Sequence, residues 1–449
     1  MKSEAGDIRR MRFRFKGYPG HPFLEPQQVL MEAGMIAGTA MEYNPFAPGF
    51  YESDVFEVYR WLRDDAPVYY SERWGWWALS RFDDCRAAAT DPDTFRSFEG
   101  IDIDHTDTDQ GGPGFLPNLD NPRHDQIRKI VQPFFLPRRI GKQEGEIREV
   151  VRQLIATWSD RTEVDLAQEL AWPMPFEVFF KLFGLPSSRE EGRDQLERWV
   201  HELKGREPGG PELTETAKIA TEGIRQYFID LIELRRREPR TDLISHLVQA
   251  DINGIPFGDE HITPASEVLG LMMVLFLGGV ESTAGLTGTM FKLLAENPEQ
   301  RARVLADPSL VPATVEETMR IATPLQHAAR TTSREVTLHG VTIPAGGRVV
   351  LVYGAANRDE RQFPDPDRFD VGRGRFRHLG FGEGLHGCLG APLARLEAQV
   401  AAEEALPLLG EYQLQAQPGF YPSSPNMYVW WSLPLTYAPP SSGRGSTED

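Results

Sequence analysis

Cysteine is scarce in this sequence. Only Cys85 and Cys388 occur among the 449 residues, which is too few for a disulfide framework and typical of a protein in a reducing compartment. No other cysteine lies near Cys388. This isolation excludes a zinc ribbon or an iron–sulfur cluster built from that segment.

Positive charge is in short supply as well. The sequence carries 48 lysines and arginines against 66 aspartates and glutamates, which gives a net charge of -18. Proteins that bind nucleic acid, or an anionic membrane surface, need a basic excess on the binding face. The charge balance therefore argues against both kinds of partner.

Long apolar runs are missing too. The longest one covers residues 268–280; it is shorter than the roughly 20 residues that cross a bilayer, so it predicts a buried core helix. Residues 1–22 are basic and lack the continuous apolar stretch of a signal peptide. We therefore expect a soluble cytoplasmic protein with a flexible lead-in over residues 1–42, one domain over residues 43–438 and a disordered tail over residues 439–449.

What the sequence does contain is mainly helical periodicity. Helical patterns dominate residues 122–305, with breaks at residues 205–211 and 251–256. The segment after Pro324 alternates apolar and polar residues as short strands do. Two short strands are also expected at residues 68–70 and 76–80, and residues 97–120 are predicted to form a long loop. The prediction is a mainly α protein with a minor β part near both ends of the chain.

The most informative stretch is LGFGEGLHGCLGAPLARLE, residues 379–397. Glycines surround Cys388, and a helix is predicted from Ala391, with Pro392 in its first turn, where proline is tolerated. A helix N-terminus lowers the pKa of a nearby thiol, and glycines let backbone N–H groups approach the sulfur. A single thiolate held in this way suits the iron of haem; the alternative is a buried free cysteine.

The order of residues in this stretch resembles a known family motif. Phe381, Gly382, Gly384, His386 and Cys388 match F-G-x-G-x-H-x-C, the haem-binding loop of the cytochrome P450 superfamily. The resemblance extends over nearly the whole chain. It implies haem b with the Cys388 thiolate as axial ligand, held in the P450 fold, a triangular helical domain that sandwiches haem and carries small β-sheets.

A structural pair supports the same resemblance. Glu317 and Arg320 are three residues apart on a predicted helix, which by itself describes a common surface ion pair of little energetic weight. Beside the cysteine loop, the pair is similar to the family's Glu-x-x-Arg motif. Residues 357–370 resemble the family's meander segment, and we expect Arg368 to be the third member of a buried network.

The resemblance also implies cationic partners for the haem propionates. These are His124 and Arg128, which share a helix face at a spacing of four residues, together with Arg330 and His386. The alternative for these residues is an ordinary solvated basic face.

The apolar run is similar to the family's distal helix. Gly278 and Gly279 stand where the family leaves room for dioxygen, and Glu281 and Ser282 form an acid–alcohol pair suited to proton relay. The family more often has threonine at the alcohol position. Thr283 follows directly, so either hydroxyl is a candidate, and a structural alcohol that bonds back to its own helix is the alternative.

Substrate contacts are implied on several segments. The resemblance indicates a set drawn from the distal helix, the strand start after Pro324 and a late turn: Val274, Leu277, Gly278, Gln326, His327, Ala328 and Met427. The acidic run at residues 102–109 favours either a cationic substrate or, more simply, a solvated acidic loop.

Basic residues concentrate in two places despite the acidic composition. They are Arg123, Lys129, Arg138, Arg139 and Lys142, followed by Arg373, Arg375 and Arg377 just before the cysteine loop. Such a patch would steer an acidic ferredoxin, although scattered surface arginines are an equal alternative. Since the chain has no flavin or iron–sulfur motif, its electrons must come from a separate reductase system.

The hypothesis for function is a haem-thiolate monooxygenase. It would insert one atom of dioxygen into a small organic substrate by hydroxylation, epoxidation, dealkylation or oxidative coupling, with electrons from NAD(P)H through ferredoxin reductase and ferredoxin. Two alternatives stay open: a peroxide-driven haem-thiolate peroxygenase, and a non-catalytic haem-binding module that recruits other proteins. Both would dispense with the pair formed by Glu281 and Ser282.

Overall fold

The computed structural model describes residues 41–104, 111–185, 192–257, 266–420 and 425–438. The expected lead-in, apart from its last two residues, and the expected tail lie outside these ranges. So do residues 105–109 of the acidic run.

Helices are the main secondary structure of the described chain. In chain order they are α1 Val55–Asp64, α2 Phe82–Thr90, α3 Arg123–Val131, α4 Pro137–Ile140, α5 Glu144–Ile155, α6 Pro173–Leu182, α7 Arg193–Glu202, α8 Glu215–Arg237, α9 Leu243–Gln249, α10 Glu267–Glu296, α11 Pro298–Ala306, α12 Val311–Ile321, α13 Tyr353–Ala356 and α14 Ala391–Leu409.

The strands are short and lie mostly near the two ends. They are β1 Val68–Ser71, β2 Trp76–Leu79, β3 Phe95–Arg96, β4 Glu163–Asp165, β5 Asp251–Ile252, β6 Ile255–Pro256, β7 Ala328–Thr332, β8 Val336–Leu338, β9 Val341–Ile343, β10 Arg348–Leu351, β11 Tyr412–Leu414, β12 Gly419–Phe420, β13 Trp430–Ser432 and β14 Pro434–Tyr437. The mainly α prediction with a minor β part is confirmed. Strand β4 falls inside the span predicted as helical, whereas the β5–β6 hairpin occupies the predicted break at residues 251–256.

The largest sheet among the described residues has five strands in the order β1-β2-β10-β7-β3. Strand β10 runs parallel to β2 and antiparallel to β7, so the sheet joins the early hairpin to the late strands. Cys85 lies buried in the small core against this sheet, where its thiol donates to the Leu79 carbonyl oxygen at 3.1 Å. That burial makes Cys85 a packing residue.

The apolar run becomes the central helix of the protein. Helix α10 is 30 residues long and packs against α6, α8, α12 and α14, because it is apolar on nearly every face. By length and composition it could cross a membrane, yet 67% of its apolar window is buried within the protein. The prediction of a buried core helix is confirmed, and the helix is longer than the run alone indicates.

A buried charge network joins α12 to the segment before the cysteine loop. The Arg320 guanidinium donates to both Glu317 carboxylate oxygens at 2.8 Å, and neither side chain is exposed. Arg320 also donates to the carbonyl oxygens of Asn357 and Pro366 at 3.0 and 2.7 Å. Since an unpaired charge here would be costly, the pair fixes the meander segment against α12.

The predicted third member of this network is wrong. Arg368 contributes its backbone carbonyl oxygen, whereas the side chain that reaches Glu317 belongs to Arg373, at 3.0 Å. Arg373 also donates to the carbonyl oxygens of Pro364 and Asp365. The chain turns back between the two arginines, so position 373 faces the network and the side chain at position 368 is exposed.

Replacing Arg373 by methionine should lower the free energy of unfolding by about 2–3 kcal/mol, because hydrogen bonds to a buried carboxylate are lost. The fraction of purified protein that carries haem should fall with it. Arg368→Met is the matched control and should change stability by less than about 0.5 kcal/mol. Urea denaturation and the ratio of Soret to protein absorbance measure both effects; equal losses in the two variants would contradict the assignment.

Candidate active site

Cys388 sits at the N-terminal end of α14. A short helical turn, Gly384–His386, precedes it. The Cys388 backbone N–H donates to the Phe381 carbonyl oxygen at 2.8 Å. The backbone N–H groups of Gly390 and Ala391 donate to the Cys388 sulfur. The loop therefore directs two amide hydrogens and the positive end of a 19-residue helix at one thiol.

The environment of the Cys388 thiol is unusual. The side chain is exposed, yet burial raises the pKa of its thiol, while the backbone N–H groups of Gly390 and Ala391 and the charges of Arg128 and Arg395 lower it. A group that is both accessible and densely surrounded lines an internal cavity. The donors around the sulfur favour a thiolate once a cation such as iron is bound to it.

Gly384 shows why the motif requires glycine at this position of the loop. Gly384 has a φ of 72°, a left-handed conformation that other residues rarely adopt. A Cβ at this position would lie 2.6 Å from the Ala89 carbonyl oxygen. The loop can therefore pack closely against the end of α2 only with glycine here.

Four cationic or imidazole side chains meet beside this loop. The rings of His124 and His386 lie 4.8 Å apart between centroids. Arg128 donates to the carbonyl oxygens of Leu385 and Gly387 at 3.3 and 2.9 Å. Arg330 is 3% exposed and electrostatically coupled to His386. The residues that the resemblance assigns to the propionates are thus brought together.

One carboxylate contacts this cluster, since Asp125 Oδ1 lies 3.2 Å from His124 Nδ1, but two buried imidazole nitrogens have no partner among the described residues. His124 Nε2 and His386 Nδ1 are buried without a hydrogen-bond partner there, while His386 Nε2 lies 3.1 Å from Ser97 Oγ. Desolvation lowers the pKa of His124, and desolvation followed by Arg330 lowers that of His386 to about 2. A buried anion at this position would supply the missing partner, as the carboxylates of haem do.

The middle of α10 also borders open space. Val274, Gly278 and Ser282 are four residues apart, and all three are at least partly accessible on an otherwise buried helix. Apart from the neighbouring backbone of α10 itself, no heavy atom of the described residues lies within 4 Å of the position that a Cβ would take at Gly278 or Gly279. Open space therefore adjoins this face of the helix, as it must if haem, dioxygen and substrate are to fit there.

The two candidate hydroxyls occupy different environments. Ser282 Oγ donates to the Gly278 carbonyl oxygen at 2.7 Å, on the accessible face. Thr283 is buried at 3% exposure. Of the two hydroxyls, Ser282 therefore lies on the side where the open space is.

Glu281 is buried at 5% exposure, and its Oε1 atom has no hydrogen-bond partner among the described residues. Burial, opposed by the nearby Lys204 cation, raises the pKa of Glu281 to about 7. The carboxyl group is therefore close to half protonated at neutral pH, where a group that both takes up and releases protons works best.

The residues predicted to contact substrate differ in their placement. Val274 and Leu277 are partly buried on α10. Ala328 and Met427 are buried. The Gln326 side-chain amide is fully buried, accepts from the Tyr59 hydroxyl at 2.8 Å and donates to the Thr323 carbonyl oxygen. Gln326 is therefore already committed to the core and does not present its amide to a substrate.

His327 is also part of a buried contact. Its Nδ1 lies 2.9 Å from the Tyr43 hydroxyl, and burial lowers the pKa of its imidazole to about 4. The ring is therefore neutral at physiological pH.

Both interpretations of the acidic run are wrong for its first two carboxylates. Asp102 and Asp104 are buried rather than solvated, and they pair with Lys204 and Arg206 at 3.4 and 2.7 Å. They are therefore not free to bind a cationic substrate. Lys204 and Arg206 were missed because nothing local in L-K-G-R marks residues that pair with a segment a hundred positions earlier.

The basic patch is smaller than predicted. Arg123 pairs with Glu267 and Arg373 with Glu317, so both have structural partners. Arg138, Arg139 and Lys142 surround an open groove of about 420 Å³ that also includes Leu136, which is 47% exposed. Because α4 packs against α14, this groove adjoins the helix that begins at the cysteine loop.

Comparison with known proteins matches this geometry to one family. The profile of the family Cytochrome P450 matches residues 93–419. The 6-deoxyerythronolide B hydroxylase of Saccharopolyspora erythraea is 34% identical over 369 residues, 78% of this chain and 88% of the relative. Cyclomarin C epoxidase CymV of Salinispora arenicola is 33% identical over 401 residues, 87% and 98% of the two chains.

A solved structure shows the same fold. A mutant of P450 EryK in complex with erythromycin B superposes with a TM-score of 0.77 at 30% identity, covering 89% of this chain and all of the other. The protein is a haem-thiolate monooxygenase. It belongs to the cytochrome P450 family, whose cofactor is haem with an axial cysteine thiolate.

The shifted pKa of Glu281 predicts a pH-dependent stability difference. The folded state holds this proton up to a pH of about 7, against a reference value of 4.5, so the wild type loses stability as pH rises between these values. Glu281→Gln cannot ionise at this position. The difference in free energy of unfolding between the variant and the wild type should therefore favour the variant by up to about 3 kcal/mol more at pH 8 than at pH 4.5.

Urea denaturation of the haem-loaded protein at both pH values measures this difference. Glu296→Gln, at the exposed end of the same helix, is the matched control and should show no comparable dependence on pH. A Glu281→Gln effect of equal size at the two pH values would contradict the burial argument.

Proposed function

We propose that this P450 hydroxylates or epoxidises a small neutral organic substrate, using Cys388 as the haem ligand, Glu281 and Ser282 for proton delivery, and ferredoxin as the electron donor. The observation that carries the proposal is an exposed thiol in the same fold as an acid–alcohol pair beside open space. The Cys388 sulfur is exposed at the start of α14, and on α10 open space adjoins Gly278, whose carbonyl oxygen accepts from the Ser282 hydroxyl.

The residues around the cysteine loop would hold the cofactor. Cys388 would ligate the iron, while His124, Arg128, Arg330 and His386 would bind the propionates. When bound, haem with an axial thiolate supplies the activation of dioxygen. The amide hydrogens of Gly390 and Ala391 would moderate the charge on the sulfur and so tune the reduction potential.

The chain itself would manage the protons. Glu281, with a pKa of about 7, would take up a proton from the polar groups around Lys204 and pass it towards Ser282. The Ser282 hydroxyl, on the accessible face of α10, would then donate it into the cavity. This acid–alcohol arrangement speaks against the peroxide-driven and the non-catalytic alternatives, neither of which needs it.

Two observations indicate the class of substrate: the pairing of nearby carboxylates with cations, and the activities named for two relatives. The carboxylates of Asp102 and Asp104 are already paired with cations, which favours a neutral substrate over a cationic one. A hydroxylase and an epoxidase are both relatives of this chain, so insertion of oxygen into a C–H or C=C bond is the proposed outcome.

The groove beside α4 is the proposed site for ferredoxin. An acidic partner would meet three cations around an exposed leucine, the combination of charged rim and apolar centre that transient interfaces use. With no flavin or iron–sulfur motif in the chain, such a partner and a reductase must supply electrons, and we place the reaction in the cytoplasm.

Reconstitution with a surrogate ferredoxin and ferredoxin reductase tests the proposed function. Compounds that shift the spin state of the ferric protein are selected first. NAD(P)H consumption should then depend on such a compound and yield a product one oxygen atom heavier. Turnover with peroxide alone, or haem binding with no turnover under either condition, would support one of the two alternatives instead.

Ser282→Ala should bind haem normally but release at least about ten times more peroxide per NAD(P)H, because a positioned proton donor contributes this much or more. Thr283→Val, which removes the buried neighbouring hydroxyl, is the control and should leave coupling nearly unchanged. If Thr283→Val uncouples the reaction and Ser282→Ala does not, the relay hydroxyl is Thr283.

Replacing Arg138 by glutamate should raise the ferredoxin concentration needed for half-maximal turnover about tenfold at low salt, since like charges at an interface slow association. The difference should shrink at high ionic strength. Arg334→Glu, in the turn between β7 and β8 with a side chain that is 72% exposed, serves as the control. Equal behaviour of the two variants would argue against docking at this groove.

A further inference from the structure

Tyr43 and His327 form a buried phenol–imidazole pair. The Tyr43 hydroxyl lies 2.9 Å from His327 Nδ1, and both side chains are fully buried. Burial lowers the pKa of the imidazole to about 4, so the ring is neutral. Its Nδ1 accepts the hydroxyl hydrogen when the ring proton is on Nε2. The pair is therefore a phenol with a base at hydrogen-bond distance.

Two other buried tyrosines lack such a base. The Tyr412 hydroxyl donates to the Phe291 carbonyl oxygen at 2.9 Å, and the Tyr51 hydroxyl donates to the Pro425 carbonyl oxygen at 2.6 Å. A carbonyl oxygen accepts a hydrogen bond but is too weak a base to take the proton. The partner of Tyr43 thus differs in kind from theirs.

This difference decides which phenol is easily oxidised. A phenol that loses an electron becomes a strong acid, so the oxidation is favourable only where a neighbouring base takes the proton at the same time. His327 suits this task, because the charges of Asp102 and Asp104 favour its protonated form. Tyr43 itself is protonated in the resting protein, since burial raises the pKa of its hydroxyl.

The pair lies beside the groups that surround the proposed haem site. The charges of Asp102 and Arg206 act on His327 and also on Glu281 of α10, so the imidazole and the buried acid share two charged neighbours. Arg330, which would bind a haem propionate, follows three residues after His327 on the segment that forms β7. An electron can therefore pass between Tyr43 and a cofactor in this site without crossing the molecule.

A series of aromatic rings leads from Tyr43 towards the surface. The ring centroids of Tyr43 and Trp76 are 5.6 Å apart, those of Trp76 and Tyr69 are 6.4 Å apart, and those of Tyr69 and Trp61 are 5.5 Å apart. Tyr43 and Trp76 are buried, whereas Tyr69 and Trp61 are partly exposed. Tryptophan and tyrosine lose single electrons more readily than aliphatic side chains, and rings in near contact exchange them quickly.

Trp76 is suited to be the first carrier in this series. Its indole N–H is buried and has no hydrogen-bond acceptor among the described residues. The ring therefore keeps its proton when it loses an electron, and the electron can be restored without a proton transfer.

We propose that Tyr43 and His327 form a redox-active pair that gives one electron to the oxidised cofactor when no substrate is present, and that Trp76, Tyr69 and Trp61 carry the replacement electron from the surface. The inference rests on the proposed function, because haem in the site is the oxidant. The pair would protect the enzyme during turnover that yields no product.

Electrons and protons balance at each transfer. Tyr43 loses one electron to the cofactor, which is reduced by one electron, and its O–H proton moves to His327 Nδ1. Trp76 then gives an electron to Tyr43, which recovers its proton from His327. Tyr69 restores Trp76 and exchanges its own phenolic proton with solvent, and Trp61 restores Tyr69. A soluble reductant of the thiol or ascorbate class supplies the last electron.

The test mixes ferric, haem-loaded protein with a peracid in the absence of substrate and freezes the mixture within milliseconds. Electron paramagnetic resonance should show a tyrosyl radical in the wild type that ring-deuterated tyrosine narrows, and Tyr43→Phe should lose it. His327→Gln offers a hydrogen-bond acceptor that cannot take the proton, so the radical yield should fall at least about tenfold. Tyr412→Phe is the matched control and should keep the wild-type yield.

Trp76→Phe tests the route to the surface. In the presence of ascorbate, this variant should prolong the Tyr43 radical and at least about double the rate at which peroxide bleaches the Soret band. An unchanged radical lifetime and bleaching rate would overturn the assignment of Trp76 as the carrier.

The carbon monoxide spectrum of each variant separates this inference from the proposed function. A wild type with the thiolate spectrum but no tyrosyl radical, or with a radical that persists in Tyr43→Phe, would overturn the redox-active pair and leave the proposed function intact. A wild type without the thiolate spectrum would instead count against the proposed function.

Discussion

The structure depends on one constraint: a single thiol must be held at the start of a buried helix, open to an internal cavity on one side and closed off by protein on every other. Cys388 meets it because Gly390 and Ala391 direct their amide hydrogens at the sulfur and because Gly384 lets the loop pack against α2. The network of Glu317, Arg320 and Arg373 then fixes the segment that leads into the loop.

The charged and polar groups near the cysteine loop differ in kind from those on α10. Near the cysteine loop, the Arg128 and Arg330 guanidinium groups and two imidazole nitrogens without a partner among the described residues form an excess of donors that an anionic cofactor would satisfy. On the α10 side, the buried Glu281 carboxyl group, with a pKa of about 7, is influenced by the charges of Asp102, Lys204 and Arg206. One region is organised to hold charge and the other to exchange protons.

Sequence reasoning succeeded where the chemistry is local. The cysteine loop, the start of α14 and the central helix depend on neighbouring residues, so glycine positions, a proline in the first turn and apolar composition were enough to predict them. It failed where partners meet across the fold. Arg373 rather than Arg368 reaches Glu317 because of how the meander turns back, and that turn has no simple residue pattern.

The acidic run failed for the same reason. In the sequence, Asp102 and Asp104 are typical of a solvated acidic loop. In the fold, Lys204 and Arg206, from the connection between α7 and α8, pair with them. Gln326 was expected at the substrate but is held by Tyr59, a contact that depends on helix α1 packing against the start of β7. Pairing between polar side chains that are far apart in the chain is therefore the feature of this structure that a single sequence does not predict.

The central claim is that the Cys388 thiolate is the axial ligand of haem in this protein. The most direct test is the absorption spectrum of the dithionite-reduced protein with carbon monoxide. A Soret band strongly red-shifted from that of histidine-ligated haem is the predicted result. A band typical of a neutral axial ligand, or folded protein that takes up no haem, would contradict the account.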